Sequence, residues 1–178
     1  MATALQDRPQ VTEAEWEARQ QLAACYRVFD MLGWSEMIYN HITLKVPGGD
    51  DAFLINPYGL HFSEVTASNL VKVDLDGNKL DGSPYPINLA GFTQHSVFHR
   101  NLPDAHCIMH THTTAGMAVS ALEGGLQPIN FYACSFAGQF ADAANHLPIE
   151  RQNLRRRAFE IDRHVQHEDV MGVDARRR

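Results

Sequence analysis

At 178 residues the chain is long enough for one domain with a substantial core, and 44% hydrophobic with 20% charged residues is the balance of a globular protein. A net charge of −6 argues against nucleic acid as a partner, and no apolar run approaches the roughly 18 residues of a membrane span. The opening MATALQDRPQ has no apolar signal core, so a cytoplasmic protein is expected.

Three widely spaced cysteines, Cys25, Cys107 and Cys134, form no C-x-x-C pair and are expected to be reduced, buried small hydrophobes. Residues 1–12 are polar and read as a flexible arm. Thr12 and Glu15 have the S/T-x-x-E form of a capping box. The apolar positions Trp16, Leu22, Ala23, Tyr26, Phe29, Met31 and Leu32 then predict one long helix from Glu13 to Leu32, ended by Gly33. HITLKV (41–46) and AFLIN (52–56), joined by PGGDD, predict an antiparallel hairpin. HFSEVTASNL (61–70) predicts a short helix capped by Ser63 or Thr66, and VKVDL (71–75) a strand. A short strand and loop are expected over 79–88, where two prolines intervene. GFTQHSVFHRN (91–101) predicts a helix, AHCIMHTH (105–112) a buried strand, and TTAGMAVSAL (113–122) a helix started by a threonine cap. This order implies an α/β (α+β layered) domain over 13–139 with a mainly antiparallel sheet flanked by helices. Residues 140–178 hold 8 of the 15 basic residues and no lysine, and read as an arginine-rich tail, helical or disordered.

Five of the ten histidines, His95, His99, His106, His110 and His112, lie within 18 positions. On a strand, the H-x-H of His110 and His112 points both imidazoles to one face with Cβ atoms ~7 Å apart, so both can reach one divalent ion. Two ligands fall short of the three protein ligands of a catalytic zinc site. His95 and His99 have H-x-x-x-H spacing without the glutamate that would make a metalloprotease helix. One is expected to pack under the sheet and the other to cap or face solvent. His106 is expected at the rim.

NHITLKV (40–46), FLINPYGLHFSEVTASNLVKVDLDGN (53–78) and INLAGFTQHSVFHRNLPDAHCIMHTHTTAGMAVSAL (87–122) together resemble the class II aldolase and adducin head family. The resemblance implies a zinc-dependent lyase or epimerase, or related carbon-acid catalyst, acting on a small hydroxy-carbonyl compound and assembled as a homo-oligomer. It implies that His110 and His112 are zinc ligands and that Asn40 and Gly59 position substrate; on the enzyme reading Tyr58 or His61, which follow the turn in NPYGLHF, assists proton transfer, the alternative for each being turn packing.

Departures from the family pattern are specific. Gly91 stands where the aldolases carry their catalytic acid, and Leu89 and Ala90 replace the serines that bind substrate phosphate. LAGF looks like the adducin-related branch. No residue of the tail matches the third zinc histidine, which suggests a chain truncated or altered after about Gln139. Two alternatives therefore stand beside the enzyme: a non-catalytic, self-associating adducin-like head, and an inactive family member.

Overall fold

The computed structural model describes residues 8–48, 51–122 and 126–135. Thr12 starts the first helix, α1 (Glu13–Met31), by accepting a hydrogen bond from the Glu15 amide at 3.2 Å, which satisfies one donor the helix start leaves open. Gly33, at φ +68°, takes the left-handed conformation that ends it. Ala18, Leu22, Ala23, Tyr26 and Phe29 recur along the buried face. Met31 and Leu32, expected on that face, are exposed. At about 100° per residue, nine steps from Leu22 carry Met31 to the opposite side of the helix.

Glu15 does not close the predicted capping box, because its carboxylate belongs to a buried ion network. Arg19, 1% exposed, donates to Glu15 Oε1 at 2.9 Å, the Leu70 carbonyl at 2.7 Å and Asp81 Oδ2 at 2.9 Å. Lys72 donates from Nζ to Glu15 Oε2 at 3.1 Å and from its amide to Asp81 Oδ2 at 2.8 Å. Two cations and two carboxylates thus tie α1 to the chain on either side of residue 75.

Four strands, β1 (His41–Lys45), β2 (Ala52–Ile55), β3 (Val71–Asp74) and β4 (Cys107–His110), form an antiparallel sheet in the order β3-β2-β1-β4. The hairpin register, Leu44 opposite Leu54, would place Asn56 opposite Ile42. The Tyr26 hydroxyl lies between them instead, accepting from the Ile42 amide at 2.9 Å and reaching the Ile42 carbonyl and Asn56 Oδ1. It thereby supplies the polar partners that β1 loses where β2 ends.

Alternation along the strands separates two cores. Ile42, Leu44, Ala52 and Leu54 pack with α1, Phe62, Val65 and Leu70. Phe53, Ile55, Val71 and Val73 face the other way and pack with Phe92 of the second helix, α2 (Leu89–Asn101). His41, Thr43 and His110 have the parity of this second face. The α2 side of the sheet is therefore apolar over β2 and β3, and over β1 and β4 it carries His41, Thr43 and His110, with Ile108 opposite Thr43.

Several expectations are corrected. Residues 62–64 form only a 3₁₀ turn capped by His61, while Thr66 and Asn69 bond reciprocally and turn the chain instead of starting a helix. Only a single bridge, Lys79 to Val73, replaces the strand expected in 79–88, where Pro84 and Pro86 offer no amide. β4 is shorter than predicted and lies at the sheet edge with Cys107 and Met109 exposed. Cys134 is exposed as well, so Cys107 and Cys134 are free thiols but not buried ones.

The chain divides into two compact units, Met1–Thr111 and His112–Arg178. In the second, Thr113 caps α3 (Thr114–Ser120), as expected, and α4 (Phe131–Ser135) is an unpredicted short helix. The tail beyond residue 135 and the first seven residues of the arm lie outside the described residues.

Removing one partner from the Arg19 network leaves buried carboxylates uncompensated. Arg19→Met is expected to lower stability by about 3–5 kcal/mol in urea unfolding. A loss below ~1 kcal/mol would show that the network is solvated like a surface pair.

Candidate metal centre

Asn88 caps α2 by accepting from the Ala90 and Gly91 amides at 3.1 and 3.3 Å, and its Nδ2 donates to the Ile38 carbonyl at 2.7 Å. The helix start is thus tied to the segment leading into β1. From there Gly91, Phe92, His95, Ser96 and His99 repeat along the buried face. Phe92 meets the apolar half of the sheet. Gly91, His95 and His99 meet the β1–β4 half.

Both helical histidines are buried, His95 at 1% and His99 at 3% exposure, which corrects the expectation that one would face solvent. The cause is Thr43 of β1, whose Oγ1 lies 2.7 Å from His95 Nδ1 and 2.8 Å from His99 Nε2. One hydroxyl can donate to one ring while accepting from the other, so two imidazoles are held under the sheet by a single threonine. Burial, reinforced by His41, His110 and His99, pushes His95 down to about 2. Burial, and then Lys45, lowers His99 to about 4. Both rings are neutral at physiological pH.

His41 and His110 stand directly opposite in the β1–β4 ladder, and their rings stack with centroids 5.1 Å apart. His41 also meets the His95 ring edge-on at 4.8 Å. The space for His41 exists because residue 91 is glycine. A Cβ there would fall 1.8 Å from His41 Cδ2 and 2.2 Å from Nε2, far inside contact distance. Gly91 is thus the berth of an imidazole.

One nitrogen from each of His41, His95 and His110 lies within 4.8 Å of the others. Among the described residues this is the set of three histidine, cysteine or carboxylate groups that comes together. Imidazoles without a carboxylate are donors suited to zinc and its borderline neighbours rather than to magnesium or calcium.

The family model described as the Class II Aldolase and Adducin N-terminal domain matches residues 20–173. The chain belongs to this family. It is 53% identical to rat (Rattus norvegicus) alpha-adducin over 119 residues, which are 66% of this chain and 16% of that protein. Among solved structures, an aldolase II superfamily protein from Pseudomonas syringae superposes with a TM-score of 0.71 at 43% identity, covering 82% of this chain and 60% of that one. L-fuculose 1-phosphate aldolase from Glaciozyma antarctica PI12 gives a TM-score of 0.65 at 32% identity, covering 76% and 57%. The predicted layered fold is therefore that of class II aldolases. The chain spans about half the length of two further curated relatives, putative aldolase class 2 proteins of Caulobacter vibrioides (52% identical over 131 residues, 74% of this chain and 51% of that protein) and Pseudomonas aeruginosa (55% over 121 residues, 68% and 46%).

His110 joins the histidine cluster, whereas His112 opens the second unit. Asn40 is buried beside His41, with Nδ2 donating to the Trp34 carbonyl and Oδ1 accepting from the Glu36 amide at 3.0 Å. Gly59 occupies a turn at φ +86°, next to a half-exposed Tyr58. His61 is on the α1 side, with Nδ1 2.8 Å from Ser63 Oγ and Nε2 3.4 Å from Ser35 Oγ and 3.6 Å from Asp30. His106 is exposed, as expected of a rim residue.

His41 is the residue that sequence reading missed. Its signal was strand parity: His41 shares a face with Thr43, and the glycine at 91 marks a place where something approaches the helix backbone.

Unfolded, His99 gains a proton below about pH 6.5; folded, it resists until about 4. Its contribution to stability is therefore complete above pH 6.5 and is lost as pH falls through that window, at up to about 1.4 kcal/mol per pH unit. Urea unfolding between pH 7 and 4 is expected to show a shallower acid limb for His99→Gln than for the parent chain. Parallel limbs would contradict the assignment.

Proposed function

We propose that this chain carries the metal-binding part of a divalent-metal-dependent carbon-acid catalyst, a lyase or epimerase acting on a small hydroxy-carbonyl compound. The observation that supports this reading best is the convergence of imidazoles at the His110 end of β4 in a family that includes aldolases. His110 would hold a zinc ion, with His112 as the resemblance implies. When bound, such an ion supplies Lewis-acid stabilisation of the enediolate formed as a C–C or C–H bond breaks.

The chain's own residues divide the remaining work unequally. Asn40 has its amide turned to Trp34 and Glu36, so it fixes the approach to β1 and leaves little for a phosphate ester. Gly59 keeps the turn at 57–60 free of a side chain, and the half-exposed phenol of Tyr58 is the better candidate for moving a proton. His61 already caps a 3₁₀ turn with Nδ1. A homo-oligomer in which subunit contacts complete the site fits the exposed apolar side chains of Ile129, Phe131 and Tyr132.

A second reading, a non-catalytic adducin-like self-association head, is favoured by one observation: the His41 ring fills the place of any acid at position 91. Solvent exchange separates the two. In D₂O with Zn²⁺, the enzyme reading predicts protein-dependent deuterium incorporation next to the carbonyl of simple 1-hydroxy-2-ketones, followed by proton NMR and lost in His110→Ala. No exchange above the free-Zn²⁺ control, with a defined oligomer in solution, would overturn it in favour of the second reading.

A further inference from the structure

The ligand pair implied by the resemblance leaves His41 and His95 unassigned, although they lie against His110 in the interior of the first unit. We propose that His41, His95 and His110 form a cation site of their own for a zinc-class divalent ion, complete within residues 41–110 and independent of His112. It shares His110 with the functional reading above, but it does not require the chain to be a catalyst.

Geometry supports it first. The three donor nitrogens lie within 4.8 Å of one another. Two nitrogens bound to one zinc ion at about 2.0–2.1 Å each can be at most about 4.2 Å apart, so modest ring rotations close the set. The rings come from three different elements, β1, α2 and β4, and ladder pairing fixes two of them opposite each other. A site built on such elements is held more firmly than one on loops.

The surroundings suit a metal as well. Thr43 holds His95 by Nδ1 at 2.7 Å, which leaves Nε2 as the nitrogen able to bind. A cation there would select the arrangement in which His95 Nδ1–H donates to Thr43 and Thr43 donates to His99 Nε2, a chain of outer partners of the kind that orients metal-binding histidines. Gly91 keeps the His41 ring inside the cluster. His110 is half-buried, which leaves a side from which the ion and a water or anionic fourth ligand can approach.

Titration of the full chain with Co²⁺, read by its visible absorption and repeated with Zn²⁺ in competition, tests the proposal. About one ion per chain is expected to bind to the parent and to His112→Ala with affinities within a few-fold. Binding is expected to weaken by at least about 100-fold in His41→Gln and His95→Gln, beyond what outer partners alone contribute. Far-UV circular dichroism checks that these variants fold. Should they fail to fold, ¹⁵N imidazole spectra of the parent chain with Zn²⁺ decide: shifts at His41, His95 and His110 support the site, and shifts confined to His110 and His112 overturn it. Loss of binding in His112→Ala with retention in His41→Gln would assign the ion to the family pair and sink this site while sparing the functional reading. A parent chain that binds no ion would overturn the site outright.

Discussion

The α2 side of the sheet depends on how closely the His41 ring lies against Gly91, whose missing Cβ would sit 1.8 Å from the ring. That approach brings α2 down onto the β1–β4 half of the sheet, where Thr43 reaches both His95 and His99. It also places His41 between His95 and His110. Any side chain at position 91 and an imidazole at 41 in this pose are mutually exclusive. Gly91 leaves room for a third ring in the histidine cluster.

The other side of the sheet keeps β1 where this arrangement needs it. Tyr26 takes up the Ile42 amide and carbonyl beside His41, and the Arg19 network fastens α1 to Leu70, Lys72 and Asp81. Asn40 holds the turn before β1, and Asn88 ties the start of α2 to Ile38. Polar side chains with buried partners fix the relative placement of two helices and a strand more narrowly than apolar packing alone. Family membership, the layered fold and the histidine cluster are consistent with one another on this basis.

Much of this was legible in the sequence because it is local. Alternation marked the hairpin, apolar spacing with Thr12 and Gly33 marked α1, and Thr113 marked α3. What escaped depends on partners distant along the chain. His41 and His110 meet through a ladder whose register no local pattern encodes, and Thr43 holds both helical histidines inward where the sequence led one of them to be expected at a cap or in solvent. Glu15 looked like half of a capping box until Arg19 and Lys72 competed for its carboxylate. Gly91 was read as an absence, the lack of an acid, whereas in the fold it is a fitted space.

A double-mutant cycle in unfolding free energy tests that space directly. Gly91→Ala in the parent chain is predicted to destabilise by about 1–3 kcal/mol, as overpacking does, because the His41 ring must move. In a His41→Ala background the same change is predicted to be neutral or stabilising by up to ~1 kcal/mol, since alanine is the better helix former and the clash is gone. An equal effect of Gly91→Ala in both backgrounds would contradict the account.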